Sequence, residues 1–407
     1  MRILGMILAG GIGKRLWPLT KDRAKPAVPF GGQYRIIDFV LNNFINSNIF
    51  RLKVLTQFKS DSLIRHIGLG YRMSRSLDQY CDVVPAQMRT GERWYEGTAD
   101  AIYQNLNTII DISPDIVAVF GGDHIYKMDI QQMLDFHISK DADLTISAIP
   151  RKLEEASSFG VIQTNRDDNI VGFQEKPKNP TPIPSRIDMA YISMGNYLFN
   201  KEILVRMLRD DEANKDSSHD FGNDIIPMMV KEGHRVFAYD FTKNEIPNMT
   251  EQERGYWRDV GTIDAYYSAN MDLRSVSPVF NLYNAKWPIR TAHSDEPPAK
   301  FVFADYGERC GIALDSLVSH GCIISGALVQ DSIVSPGVFI HSYSEIKKSI
   351  IMQGVQIGRN CRIQNAIIDK AVKIPPETII GFDKTKDKKK FTVSPEGIVV
   401  IPKNYRF

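Results

Sequence analysis

At 407 residues the chain exceeds the size at which one hydrophobic core usually stops growing, which predicts two domains. Apolar residues at 43% and charged residues at 24% are ordinary globular proportions, and they argue against a disordered, fibrous or membrane-embedded chain. Fifty basic against forty-eight acidic side chains leave a net charge of +2, too little to hold nucleic acid by bulk electrostatics, so any anion site is local.

In chain order, Ile3–Leu8 reads as a first strand, because its short apolar run meets a glycine loop instead of the small-residue cleavage site of a leader peptide. Further strands are predicted at Leu52–Thr56, Ile116–Phe120 and Leu144–Ile149. Helices lie between them. Thr98–Ile110 places Ile102, Leu106, Ile109 and Ile110 on one face, and Ile130–His137 does the same with Ile130, Met133, Leu134 and His137. Alternating strands and helices predict an α/β unit around a mainly parallel sheet over residues 1–275. The prolines of Pro177–Pro184 mark a loop inside that unit, and those from Pro278 to Pro298 mark an extended connector over 276–300.

From 301 to 407 the period changes. Leu317, Ile323 and Val329 recur every six residues, as do Ile340, Ile346 and Met352; Val355, Cys361 and Ile367; and Ile368, Ile374 and Ile380. Such a repeat is how a parallel β-helix stacks short strands over a continuous core, with an antiparallel β domain as the alternative. No apolar run approaches the roughly 20 residues of a membrane span. Four cysteines, Cys81, Cys310, Cys322 and Cys361, form no paired motif, which suits a reducing, cytoplasmic setting.

The chemistry concentrates at strand ends. Gly10-Gly11-Ile12-Gly13-Lys14-Arg15 follows the first strand, where glycines admit positive φ and let backbone N–H groups approach phosphate oxygens; a plain tight turn is the alternative. It has the spacing of neither a Walker A loop nor a dinucleotide fingerprint. Arg23-Ala24-Lys25-Pro26-Ala27 brings a second pair of cations into reach. Asp123 follows the strand Ile116–Phe120 and Asp259 precedes the helical run Ile263–Leu273; each is either a metal ligand or a helix cap, and two carboxylates with substrate phosphates suit Mg²⁺. Glu175 and Lys176 pair an acceptor with a cation, as a sugar phosphate requires. Gly97 and Thr98 open a helix against which a base or sugar would rest, unless the pattern is simple capping.

Taken together, Leu8–Gly11, Arg15-Leu16, Arg23–Val28, Trp94–Ala101, Gly122–Tyr126, Glu175–Pro177, Ser193–Asn196, His219–Gly222, Trp257–Thr262 and Trp287–Thr291 make the chain resemble the glucose-1-phosphate adenylyltransferases over essentially its whole length. The resemblance implies a Rossmann-like, GT-A-like nucleotidyltransferase domain and a C-terminal left-handed parallel β-helix of hexapeptide-type repeats serving assembly and regulation. It implies transfer of adenylyl from ATP to α-D-glucose 1-phosphate with Mg²⁺, in a homotetramer controlled by metabolite effectors, with neither nucleic acid nor membrane as partner.

By the same resemblance, Arg15, Lys25 and Asp123 are catalytic, and Gly10, Gly11, Gly13, Arg15 and Gln87 bind the nucleotide, with Gln87 reading adenine. Asp123 and Asp259 hold the metal. Tyr95, Gly160, Glu175, Lys176, Ser193 and Asp220 form the glucose 1-phosphate pocket, and Gln57 and Trp94 pass the effector signal. His320 and His341 read as structural. Lys384, Lys386, Lys388, Lys389 and Lys390 are either an effector patch or a solvated loop. Asp22 stands where some bacterial members carry a basic regulatory residue. A sibling enzyme using UTP or dTTP, and a non-catalytic subunit, are the alternatives; Arg15, Lys25, Asp123, Asp259 and Lys176 speak against the second.

Overall fold

The computed structural model describes residues 1–87, 89, 91, 93–305 and 309–407. Nine strands build one N-terminal sheet: β1 (Ile3–Leu8), β2 (Arg51–Thr56), β3 (Tyr80–Pro85), β4 (Ile116–Gly121), β5 (Leu144–Lys152), β6 (Gly160–Thr164), β7 (Ile170–Glu175), β8 (Met189–Asn200) and β9 (Val236–Asp240). Neighbours β3, β2, β1 and β4 pair in parallel, and so do β5 and β9. The long strand β8 joins these two groups by pairing antiparallel to β4 on one edge and to β5 on the other. A hairpin of β6 and β7 continues the first edge. Only β7 and β8 run against the rest, so the sheet is mainly parallel. Helices cover both faces, which is why β1 and β4 are apolar at nearly every position.

Two details differ from the sequence expectation. The run from Thr98 is not one helix but two, Thr98–Tyr103 and Leu106–Ile112, and Ile110 points outward at 51% exposure. The helix Ile130–Ser139 does bury Ile130, Met133, Leu134 and His137 as its period requires. Among the described residues no helix is long and apolar enough to cross a membrane.

Beyond the connector, short strands stack in parallel into three sheets, with most partners offset by 16 or 17 residues: Ile312 pairs with Leu328, Leu328 with Glu345 and Glu345 with Arg362. This is a three-sided β-helix. Val329, Ile340, Ile346, Val355, Cys361, Ile368, Ile374 and Ile380 fill its interior. Met352 and Ile367, read from the repeat as coil interior, instead face the N-terminal domain. The sheet containing Ile350–Ile351, Ala366–Ile368 and Val399–Ile401 is buried on both faces, so its strands read as continuous apolar runs and break the six-residue phase.

The connector is pinned to the first domain, with Arg290 N–H donating to Asn42 Oδ1 at 2.9 Å and Thr291 Oγ1 donating to Asp38 Oδ2 at 2.7 Å. Between the domains, Arg23 Nη2 donates to both carboxylate oxygens of Asp369 at 2.9 Å, with side chains 5% and 1% exposed. Removing one member of such a pair strands a charge. Asp369→Ala is expected to cost about 3–5 kcal/mol, read as a lowered urea midpoint.

Candidate active site

A cleft of about 710 Å³ opens at the C-terminal ends of β1, β2 and β4. Parallel strands deliver their following loops to one rim, so Gly10 to Arg15 after β1, Gln57 after β2 and Asp123 after β4 converge there. Gly13 alone of the loop glycines takes positive φ, at 65°. At Gly11 an added Cβ would meet no atom within 4 Å, so its backbone faces open space in the cleft.

The triphosphate side is built around one buried lysine. Lys25, in the turn Lys25–Ala27, places Nζ 2.9 Å from Asp123 Oδ2 and 2.7 Å from Asp259 Oδ1. Arg15, mostly exposed, lies 3.7 Å from Asp259. Burial alone would push the Lys25 ammonium down, but the charges of Asp123 and Asp259 outweigh it and hold it above the usual lysine value. Burial likewise pushes the Asp123 carboxyl up, and the charges of Lys25 and His124 reverse that, holding it well below the ordinary carboxylate range.

Neither acid is a helix cap. The helix after Asp123 is capped by Asp129, which accepts from Gln131 N, and the helix after Asp259 by Thr262, which accepts from Ala265 N. Both carboxylates are therefore free for the cleft. They meet because strand Trp257–Asp259 pairs antiparallel with His124–Tyr126, setting Asp259 opposite His124. Ligand atoms of Asp123, His124 and Asp259 lie within 4.8 Å of one another, close enough to converge on one cation. Arg23, expected to add a second cation here, turns to Asp369 instead.

The opposite wall carries the sugar-type groups. Glu175 and Lys176 form an ion pair where β7 ends, with Lys176 in the left-handed region at φ 45°. Gly160 lies against Phe173, and a Cβ there would stand 2.5 Å from the Phe173 ring and 3.0 Å from Glu175 Oε2. Ser193 begins an irregularity in β8 and accepts from Gly195 N–H at 3.2 Å. Asp220 accepts from Gly222 N and Asn223 N and from Thr98 Oγ1 at 2.8 Å. Tyr95 is fixed at both ends: its N–H donates to Gln57 Oε1 at 2.9 Å and its hydroxyl accepts from Asn105 at 3.1 Å.

The helix start at Gly97–Thr98 is not a free anion site. The His219 carbonyl accepts from Ala99 N and Asp100 N, and a Cβ on Gly97 would fall 2.1 Å from that oxygen. Capping accounts for the motif.

All the site residues that the resemblance implied line the cleft except Gln87 and Trp94. Gln87 is exposed and accepts from Arg89, and Trp94 is 57% exposed beside Tyr95. Gln57, read as a signalling residue, sits in the cleft wall beneath Gly10. Sequence reading missed His124 and Trp257, whose rings meet at a tilt with centroids 4.8 Å apart beside the two acids. Both adjoin residues already singled out, but only the strand pairing sets the rings together. His320 bonds Ser294 and His341 stacks on Phe339, as structural histidines do.

Residues 4–276 match the nucleotidyl transferase family, and residues 297–401 match the GlmU-like C-terminal hexapeptide family, in keeping with a left-handed β-helix. The chain is 55% identical to a glucose-1-phosphate adenylyltransferase of Anaeromyxobacter sp. (strain Fw109-5), across 100% of this chain and 99% of that one. It is 54% identical to the Thermus thermophilus protein of the same name, covering 100% and 99% of the two chains. With glucose-1-phosphate adenylyltransferase 1 of Vibrio parahaemolyticus it shares 52% identity over 99% and 98%.

Proposed function

The chain belongs to the glucose-1-phosphate adenylyltransferases within the nucleotidyl transferase family, and from that premise we propose how its cleft performs the family's reaction. The enzyme transfers the adenylyl group of ATP to α-D-glucose 1-phosphate, giving ADP-glucose and pyrophosphate, the committing step of α-glucan synthesis. The carrying observation is the division of one cleft into a wall of two acids around Lys25 and a facing wall of sugar-type acceptors with Lys176.

A phosphate oxygen of the sugar attacks the ATP α-phosphorus, the new O–P bond forms, and the bond to pyrophosphate breaks on the opposite side. No protein nucleophile is needed, so the residues position substrates and neutralise charge. The Gly10–Gly13 backbone, Arg15 and Lys25 receive the triphosphate. Lys176 grips the sugar phosphate, while Glu175, Ser193, Tyr95, Gly160 and Asp220 hold the glucose. Gln87 reads adenine, and Gln57 and Trp94 relay the effector signal. The carboxylates, one just before His124–Tyr126 and one on the strand paired with it, fit a hard cation, and Asp123 and Asp259 would hold Mg²⁺, which when bound neutralises phosphate charge. His124, a nitrogen donor, is a poorer match to that ion.

In this reading residues 1–275 are catalytic, 276–300 connect, and 301–407 serve assembly and control in a cytoplasmic homotetramer. Exposed Phe301, Phe303, Ile312 and Leu314 at the first coil support assembly. Between the domains, burial and the charges of Arg35 and Arg23 push Lys370 down to about 7, a repulsion that an anionic effector would relieve. Asp22, next to Arg23 in the sequence, is exposed.

Pyrophosphate release over a grid of nucleoside triphosphates and sugar 1-phosphates tests the assignment. ATP with glucose 1-phosphate is expected to be the fastest pair, and a faster rate with UTP would reject the adenylyl reading. Fructose 6-phosphate, fructose 1,6-bisphosphate, pyruvate and AMP, added in turn, identify the effector.

A further inference from the structure

Only one wall of the cleft borders the core that the two domains share. One apolar cluster combines Leu16, Val28, Ile125, Val260 and Ile263 of the first domain with Ile350, Met352, Ile367, Ile398 and Val400 of the β-helix. The charged side chains of the triphosphate and metal wall each lie within three positions of a member: Arg15 adjoins Leu16, Lys25 precedes Val28, Asp123 precedes Ile125 and Asp259 adjoins Val260. The sugar wall borders two other clusters: Tyr95 and Phe173 pack against the one that holds Ala99, Ala101, Ile162, Tyr197 and Phe221, and Ser193 lies between Ile192 and Met194 of a central one that also holds Ala27, Phe120 and Trp257 beside the triphosphate wall. Among the described residues, neither of these clusters has a member from the β-helix.

Polar contacts follow the same division. The helix Ile263–Leu273, which begins four residues after Asp259, bonds the β-helix along its length. Ser394 Oγ donates to Asp264, Tyr267 OH donates to the Lys348 carbonyl at 2.6 Å, and Arg274 Nη1 donates to Asp331 Oδ1 at 2.6 Å. On its other side Tyr266 OH donates to the Pro29 carbonyl, just past the Lys25 turn.

From this partition we infer that the β-helix is a positioning element for the triphosphate and metal wall alone, and that Ile367 and Ser394 are positioning residues acting through Val260 and the helix Ile263–Leu273. The inference rests on the assignment of the two walls under Proposed function. Close-packed cores transmit displacement to what is built on them, and a small misplacement of a catalytic group is costly. A shift of the β-helix therefore reaches Asp259 and Lys25 while Glu175, Lys176 and Asp220 stay in register.

The experiment compares Ser394→Ala combined with Ile367→Val against Ile225→Val, a matched truncation in the sugar-side cluster. The first variant is expected to raise the KM for ATP and the half-saturating Mg²⁺ and to lower kcat, by about fivefold or more in total, with the KM for glucose 1-phosphate within about twofold of the parent. Ile225→Val is expected to do the reverse. Ser394→Thr, which keeps the hydroxyl, restores most of the loss when it replaces Ser394→Ala. Thermal unfolding of each variant controls for stability, and if the double variant does not fold, Ser394→Ala alone is read the same way. Equal shifts in both substrates' KM, or no shift in either, overturn the inference. Failure of the unaltered enzyme to form ADP-glucose would reject the functional reading instead.

Discussion

Asp123→Asn is expected to lower kcat at least about a hundredfold while leaving the protein folded. The side chain is 35% exposed and caps no helix, so asparagine fills its space without removing a structural bond that the fold depends on. Its charge is another matter. Lys25 and His124 hold that carboxyl in its ionised form against burial, an arrangement that serves a cation and a triphosphate better than it serves stability. Lys25 keeps Asp259 as partner in the variant, so no buried ammonium is left alone. Circular dichroism checks the fold and pyrophosphate release checks the turnover. Near-normal release would remove Asp123 from the mechanism.

Lys25→Met should be at least as damaging, because the ammonium touches both acids. Methionine matches the stem but leaves two carboxylates facing each other, with Arg15 3.7 Å from Asp259. We expect kcat to fall about 10²- to 10³-fold, the scale of losing a preorganised charge at the reacting phosphate. The pH profile should move as well. In the parent, Asp123 stays ionised to unusually low pH; without Lys25 its burial dominates, the carboxyl protonates at higher pH, and the acid limb of the remaining activity shifts upward. A profile whose acid limb stays in place would show that Lys25 does not govern Asp123.

Much of the site was legible locally, since a loop that follows a parallel strand reaches the rim whatever else the chain does. Gly10–Arg15 after Ile3–Leu8 and Asp123 after Ile116–Gly121 are of this kind. Glu175 and Lys176 end a strand that runs against the rest, and it was their pairing of an acceptor with a cation that marked them. The apolar periods also gave the helix Ile130–Ser139 and the stacking of the β-helix, because burial enforces them residue by residue.

What the sequence by itself determined, then, is which short segments carry chemistry and which architecture presents them. Spacing along the chain is silent on partners across it. Arg23 and Lys25 are two residues apart and read as one pair of cations, yet a turn sends one to Asp369 of the β-helix and the other to Asp123 and Asp259. Met352 and Ile367 keep the coil's period while packing on the other domain, because one side of the β-helix is covered on both faces. Asp259 became a site residue when a two-stranded ribbon set it opposite His124, more than a hundred positions earlier. Tertiary structure decided these matters because ion pairing and close packing depend on distance in space, which local sequence does not encode.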